Sequence, residues 1–100
     1  MDLESGGSIK RNGAQEADIS AAFADDRGRG DFIILSASDS EFIQAAEEGD
    51  GIFAVEYRDA SGQQFQASIA MVKPVVEAAF KDYLRKGTAW RKGHQWRLLK

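Results

Sequence analysis

Apolar and polar positions change their spacing several times along the 100 residues, and each spacing points to an element. The first 13 residues, MDLESGGSIKRNG, hold three glycines and no apolar period, so they read as a flexible arm outside the fold. Within AQEADISAAFADD, Ile19, Ala22 and Phe23 fall at i, i+3 and i+4, which predicts one short helix before the RGRG break. DFIILS sets four large apolar residues in a row, the pattern of a strand buried on both faces. Ser38 with Glu41 forms a capping box, and Phe42, Ala45 and Ala46 continue it at helical spacing as far as Gly49.

From residue 52 the period becomes two. Phe53, Val55 and Tyr57 alternate with Ala54, Glu56 and Arg58, DASG supplies a turn, and Phe65, Ala67 and Ile69 alternate with Gln64, Gln66 and Ser68. Residues 52–69 are therefore expected to form a hairpin. Pro74 suits the first turn of a helix, and Val76, Ala79, Phe80, Tyr83 and Leu84 build its apolar stripe. The pairs Glu77 with Lys81 and Asp82 with Lys86 support that helix, and Gly87 can close it in a left-handed conformation. HQWRLL is expected to be a last short strand with Trp96 and Leu98 on one face.

This order predicts an α+β fold: a small mixed or antiparallel sheet of three to four strands, with two or three helices packed on one face. The expected organisation is a flexible amino-terminal arm over residues 1–30, able to carry a short helix, and a single α+β domain over 31–100. Large apolar residues number 23 in the second segment and five in the first, so the core is expected there.

Composition narrows the chemistry. With no cysteine, thiolate metal sites, disulfides and a cysteine nucleophile are excluded, and a cytoplasmic setting is expected. No basic run with a following apolar segment opens the chain, and no apolar stretch approaches about 18 residues, so neither export nor a membrane span is expected. The lone His94 cannot assemble a transition-metal site, and no Gly-x-Ser-x-Gly elbow is present. Gly49-Asp50-Gly51 is followed by a strand where a dinucleotide site requires a helix, so it reads as a helix-end turn. Enzymatic activity and a cofactor are not expected.

Net charge is −3, but the charges are segregated. Residues 31–71 carry eight acids against Arg58 alone, whereas the segment from residue 72 onward is basic. Glu47, Glu48 and Asp50 should project together from the end of the helix assigned to 38–49, where negative charge opposes the helix dipole. A broken local rule of this kind hints at function. Glu47, Glu48, Asp50, Glu56 and a half-exposed Trp90 are thus the candidate contacts for a protein partner with a basic cleft. The alternative is a single-stranded nucleic-acid module using Trp90, Arg91, Lys92 and Arg97, while Trp96 is assigned to the core.

Two stretches carry a family resemblance. FAVEYRDASG, followed by VVEAAFKDYLRKGTAWRKGHQW, resembles small immunity proteins of bacterial polymorphic-toxin systems over about residues 52–96. The resemblance implies a cytoplasmic α+β protein that neutralises a toxin domain by direct binding and performs no catalysis; separately from it, a monomer or homodimer is expected. It transfers no contact residues.

Overall fold

Asp50 and Gly51 decide the course of the middle of the chain. Both have positive φ, 56° and 72°, the pattern of a two-residue type I′ turn, and Gly49 pairs with Ile52 across them. The computed structural model, which describes residues 1–6, 9–24 and 32–99, accordingly places a strand, β4 (Phe42–Gly49), where the capping box predicted a helix. It is followed by β5 (Ile52–Arg58). As a strand, residues 42–46 turn Ile43 and Ala45 inward and leave Phe42, Gln44 and Ala46 on the other face. Both edges of β4 are hydrogen-bonded, one to β3 (Phe32–Ser36) and one to β5. Two ladders of backbone bonds outweigh one helix cap of about 1 kcal/mol. Ser38 acts within the β3–β4 turn instead: its hydroxyl accepts from the Ser40 N–H at 3.3 Å, and the N–H groups of Ala37 and Ser38 donate to the Glu41 carbonyl.

The amino-terminal segment is likewise part of the fold, contrary to the flexible-arm reading. β1 (Asp2–Ser5) pairs with β3 in the register Leu3 to Leu35, and β2 (Ile9–Arg11) pairs with β1. Leu3 and Ser5 face the core and are fully buried, while Asp2 and Glu4 face out. One alternation of four residues is enough to add a strand, though too brief to stand out as a period.

The remaining elements are α1 (Glu16–Ala24), β6 (Gln64–Ala67), β7 (Met71–Val72), α2 (Lys73–Leu84), a 3-10 turn at Ala89–Arg91 and β8 (Trp96–Leu99). Among the described residues the sheet is antiparallel with eight strands in the order β2-β1-β3-β4-β5-β6-β8, and β7 continues alongside β5 beyond the end of β6. The α+β class holds; the expected three to four strands do not, because residues 2–5, 9–11, 42–49 and 71–72 supply strands that the local pattern does not announce. Two helices and one short 3-10 turn accompany the sheet among the described residues.

Ile19, Ala22 and Phe23 are the buried residues of α1, as their spacing requires, and Val76, Ala79, Phe80 and Tyr83 are those of α2. Phe23 meets Phe53 and Phe80 edge-on at centroid distances of 5.7 and 5.1 Å, which ties both helices to the same sheet face. Across the opposite face runs a continuous cross-strand row of Glu4, Ile34, Gln44, Glu56, Gln66 and Arg97. β3 is thus half-buried on its outer face rather than buried on both.

Helix α2 ends one residue earlier than the glycine suggests. Lys86 takes the left-handed conformation at φ 62°, with Lys86 N–H donating to Tyr83 O and Gly87 N–H to Asp82 O. Gly87 is needed for a different reason: a Cβ there would overlap the Asp82 carboxylate, reaching its Cγ at 2.7 Å. Asp82 does not use that carboxylate on Lys86 but accepts the Trp90 backbone N–H at 3.1 Å, while the Glu77–Lys81 pair forms at 3.0 Å.

Candidate functional site

The type I′ turn between β4 and β5 collects three of the acidic residues. Glu48 and Asp50 are exposed, and the Glu47 carboxylate accepts the Gly51 N–H at 3.3 Å, bracing the turn. None of the three takes part in an ion pair among the described residues. They gather on a hairpin tip and not at a helix end, so the argument from the helix dipole falls away. Glu56 stands apart from them. It lies on the outer sheet face four residues into β5, roughly 13 Å along the strand, and accepts from the Gln64 side chain at 2.8 Å.

Beside the acidic tip lies an apolar patch that sequence reasoning missed. Ile52 follows the turn directly and pairs with Val72, and both are exposed. Val72, Ile69 and Val75 line a shallow cleft of about 540 Å³ that His94 borders. Ile69 was expected to face inward with Phe65 and Ala67, yet it is 81% exposed. The cause is a bulge. Three steps along β5, from Glu56 to Phe53, correspond to five along its partner, from Gln66 to Met71. Ser68 meanwhile donates its N–H to Gln95 O beside β8, which turns the chain outward at Ile69. No glycine or proline marks Ser68–Ala70, so nothing in the local composition announces the bulge.

The two tryptophans exchange the places expected of them. Trp90 is buried, with 6% exposure, and Trp96 is the partly covered one. Trp90 packs edge-on against Tyr57 at 4.8 Å and Tyr83 at 5.5 Å, and its indole N–H donates to Gly87 O at 3.0 Å. Trp96 also meets Tyr57 at 4.8 Å and donates to Arg91 O at 3.1 Å. Tyr57 stacks on Phe65 at 5.0 Å, so this end of the sheet holds a second aromatic cluster. The Arg91 guanidinium covers it, lying 4.9 Å from the Tyr57 ring centre and 5.0 Å from that of Trp90.

These positions separate the proposed nucleic-acid residues. Trp90 offers no free ring face for stacking. Arg91 and Lys92 are exposed beside the aromatic cluster, whereas Arg97 pairs with Gln66 in the row on the outer sheet face.

Among the described residues, three groups titrate away from their ordinary values. Burial pushes the Tyr83 phenol up to about 12, with Glu41 adding to the rise and Arg91 opposing it. Burial also raises Tyr57, against the pull of Arg91. In the β5–β6 turn the Ser61 hydroxyl, joined by the N–H groups of Gln63 and Ser61, holds the Asp59 carboxyl below the usual carboxylate range. Among the described residues no group of three or more His, Asp or Glu could hold a metal ion, and no helix is long and apolar enough to cross a membrane. No protein-family model matches the chain, and neither a curated protein nor a solved structure matches it.

Proposed function

We propose that the protein is a non-enzymatic binding domain that docks on a basic surface of a partner protein through the acidic β4–β5 turn and the apolar residues beside it. The observation that carries this reading is the adjacency of Glu48 and Asp50 to exposed Ile52 and Val72. An apolar centre with a charged rim is the general anatomy of a protein interface. The centre supplies the affinity by losing water, and the acidic rim accelerates encounter with a positive partner and rejects negative ones. The resemblance of residues 52–96 to immunity proteins adds a class of partner, a toxin domain whose functional cleft is basic. Burial of Trp90 favours a protein partner over a single strand, since stacking needs an accessible ring.

The test compares the natural sequence with two variants. One is Glu47→Gln, Glu48→Lys, Asp50→Asn, in which Asn is used because it tolerates the left-handed backbone at residue 50. The other is Ile69→Asp with Val72→Asp. A partner captured by the natural sequence should bind each variant at least about tenfold more weakly, a loss of about 1.4 kcal/mol. The acidic variant should mainly slow association, and its binding should lose most of its dependence on salt. Unaltered affinity in both variants, with unchanged urea midpoints, would refute the reading.

A further inference from the structure

At the end of the sheet opposite the acidic turn, a second cleft of about 540 Å³ opens between the β3–β4 loop and the segment that follows α2. Glu41 stands on the first side and Lys86, Thr88 and Arg91 on the second, with Tyr83 and Trp90 also lining it. The proposed docking surface does not include any of these residues.

Three features set this cleft apart from an ordinary surface depression. The Tyr83 hydroxyl is buried and has no hydrogen-bond partner among the described residues, which leaves a desolvated donor for a ligand to satisfy. The Arg91 guanidinium is held in place by the rings of Tyr57 and Trp90, so it meets a ligand with its position already restricted. Glu41 forms no ion pair with Lys86 or Arg91 among the described contacts, so the cleft keeps opposite charges apart across its width.

A simple anion bound here would face Glu41, and a simple cation would face Lys86 and Arg91. A molecule that carries both charges a few bonds apart meets neither penalty. We propose that this cleft binds a small zwitterion of the α-amino-acid class, its carboxylate on Arg91 and Lys86 and its ammonium on Glu41, with the Tyr83 hydroxyl donating to the carboxylate. The volume falls within the range of small-molecule sites and leaves room for a side chain.

The probes are glycine, L-glutamine and L-phenylalanine, with 3-phenylpropionate and 2-phenylethylamine as analogues that keep only one of the two charges. Each is titrated to about 10 mM, appropriate to a millimolar site, while the indole N–H resonance of Trp90 and the heat of binding are followed. At least one amino acid should saturate the cleft, and both one-charge analogues should bind at least about tenfold more weakly than L-phenylalanine or not at all. Tyr83→Phe should weaken amino-acid binding while leaving the urea midpoint of the free protein unchanged or higher, because it deletes an unsatisfied hydroxyl. Arg91→Gln should weaken it too. Absence of saturable binding by all three amino acids would assign the hydroxyl to water and overturn the proposal. So would binding that Tyr83→Phe leaves unchanged, or a one-charge analogue that binds as well as the amino acid.

Discussion

Leu3→Ala measures whether the first residues belong to the cooperative unit. Leu3 is fully buried between Arg11 of β2 and Leu35 of β3, while Leu98 sits 50% exposed near the other edge of the same sheet. Truncating Leu3 removes three carbons from a dry site, about 2.4 kcal/mol at about 0.8 kcal/mol each. A residual cavity on the order of 50 Å³ adds about 1 kcal/mol at about 24 cal/mol per Å³. The expected loss is about 3 kcal/mol, a large share of the roughly 5–15 kcal/mol that holds a domain together. With a urea m-value between about 1 and 1.5 kcal/mol/M, the midpoint should fall by roughly 2–3 M with m unchanged. Leu98→Ala makes the same chemical change without a cavity and should cost about 1 kcal/mol or less. Urea titrations of both variants, followed by far-ultraviolet circular dichroism, make the comparison. If Leu3→Ala shifts the midpoint no more than Leu98→Ala does, β1 contributes nothing to the cooperative core and its placement in the sheet is wrong.

Four other outcomes are expected. Ser5→Ala removes a fully buried hydroxyl that has no partner among the described residues, and should raise the urea midpoint by an amount equivalent to about 1 kcal/mol. Gly87→Ala should displace the Asp82 carboxylate, free the Trp90 N–H and cost about 1.5–3 kcal/mol; combined with Asp82→Ala it should cost clearly less than the two changes summed, as a double-mutant cycle would show. Tyr83 is raised to about 12 in the folded state, so its contribution is complete below the unfolded value near 10 and is lost as pH rises toward 12; urea midpoints at pH 8 and 11 should differ less in Tyr83→Phe than in the natural sequence. Asp59 has a lowered folded pKa, so the stability it adds is present above the unfolded value and is lost as pH falls through the folded one; Ser61→Ala should move its titration, read from the carboxyl carbon resonance, upward toward the ordinary range.

The elements legible in the sequence are those with enough repeats of one period. Val76, Ala79, Phe80 and Tyr83 repeat over two turns of α2, and Ile19, Ala22 and Phe23 mark α1 with three positions. β5 and the first half of its partner strand alternate over enough residues to fix which face is wet. β4 is masked in the sequence because Phe42, Ala45 and Ala46 satisfy a helical period that is also compatible with a strand, and Ser38 with Glu41 has the form of a helix cap. The deciding signal is Asp50-Gly51, a dipeptide that favours a type I′ turn but also suits a helix end. For the candidate site, the acids of the hairpin tip were found from charge alone, while the apolar half depends on a bulge that no residue type marks. The two tryptophans could not be ranked, since burial of Trp90 depends on Asp82 and Gly87 drawing the 3-10 turn back against Tyr83, a tertiary arrangement with no local pattern.

The strand order has a kinetic consequence. β3, β4, β5 and β6 are neighbours in the chain as well as in the sheet, joined by short turns, so each pairing closes only a small loop. β1 and β8 must instead return to the sheet across a whole helix, α1 in one case and α2 in the other. Loop-closure entropy thus ranks the order of assembly: the tight β4–β5 hairpin nucleates, the meander spreads from it in both directions, and the two ends of the chain dock last. Those late strands close the longest loops, so the polypeptide folds from its middle outward.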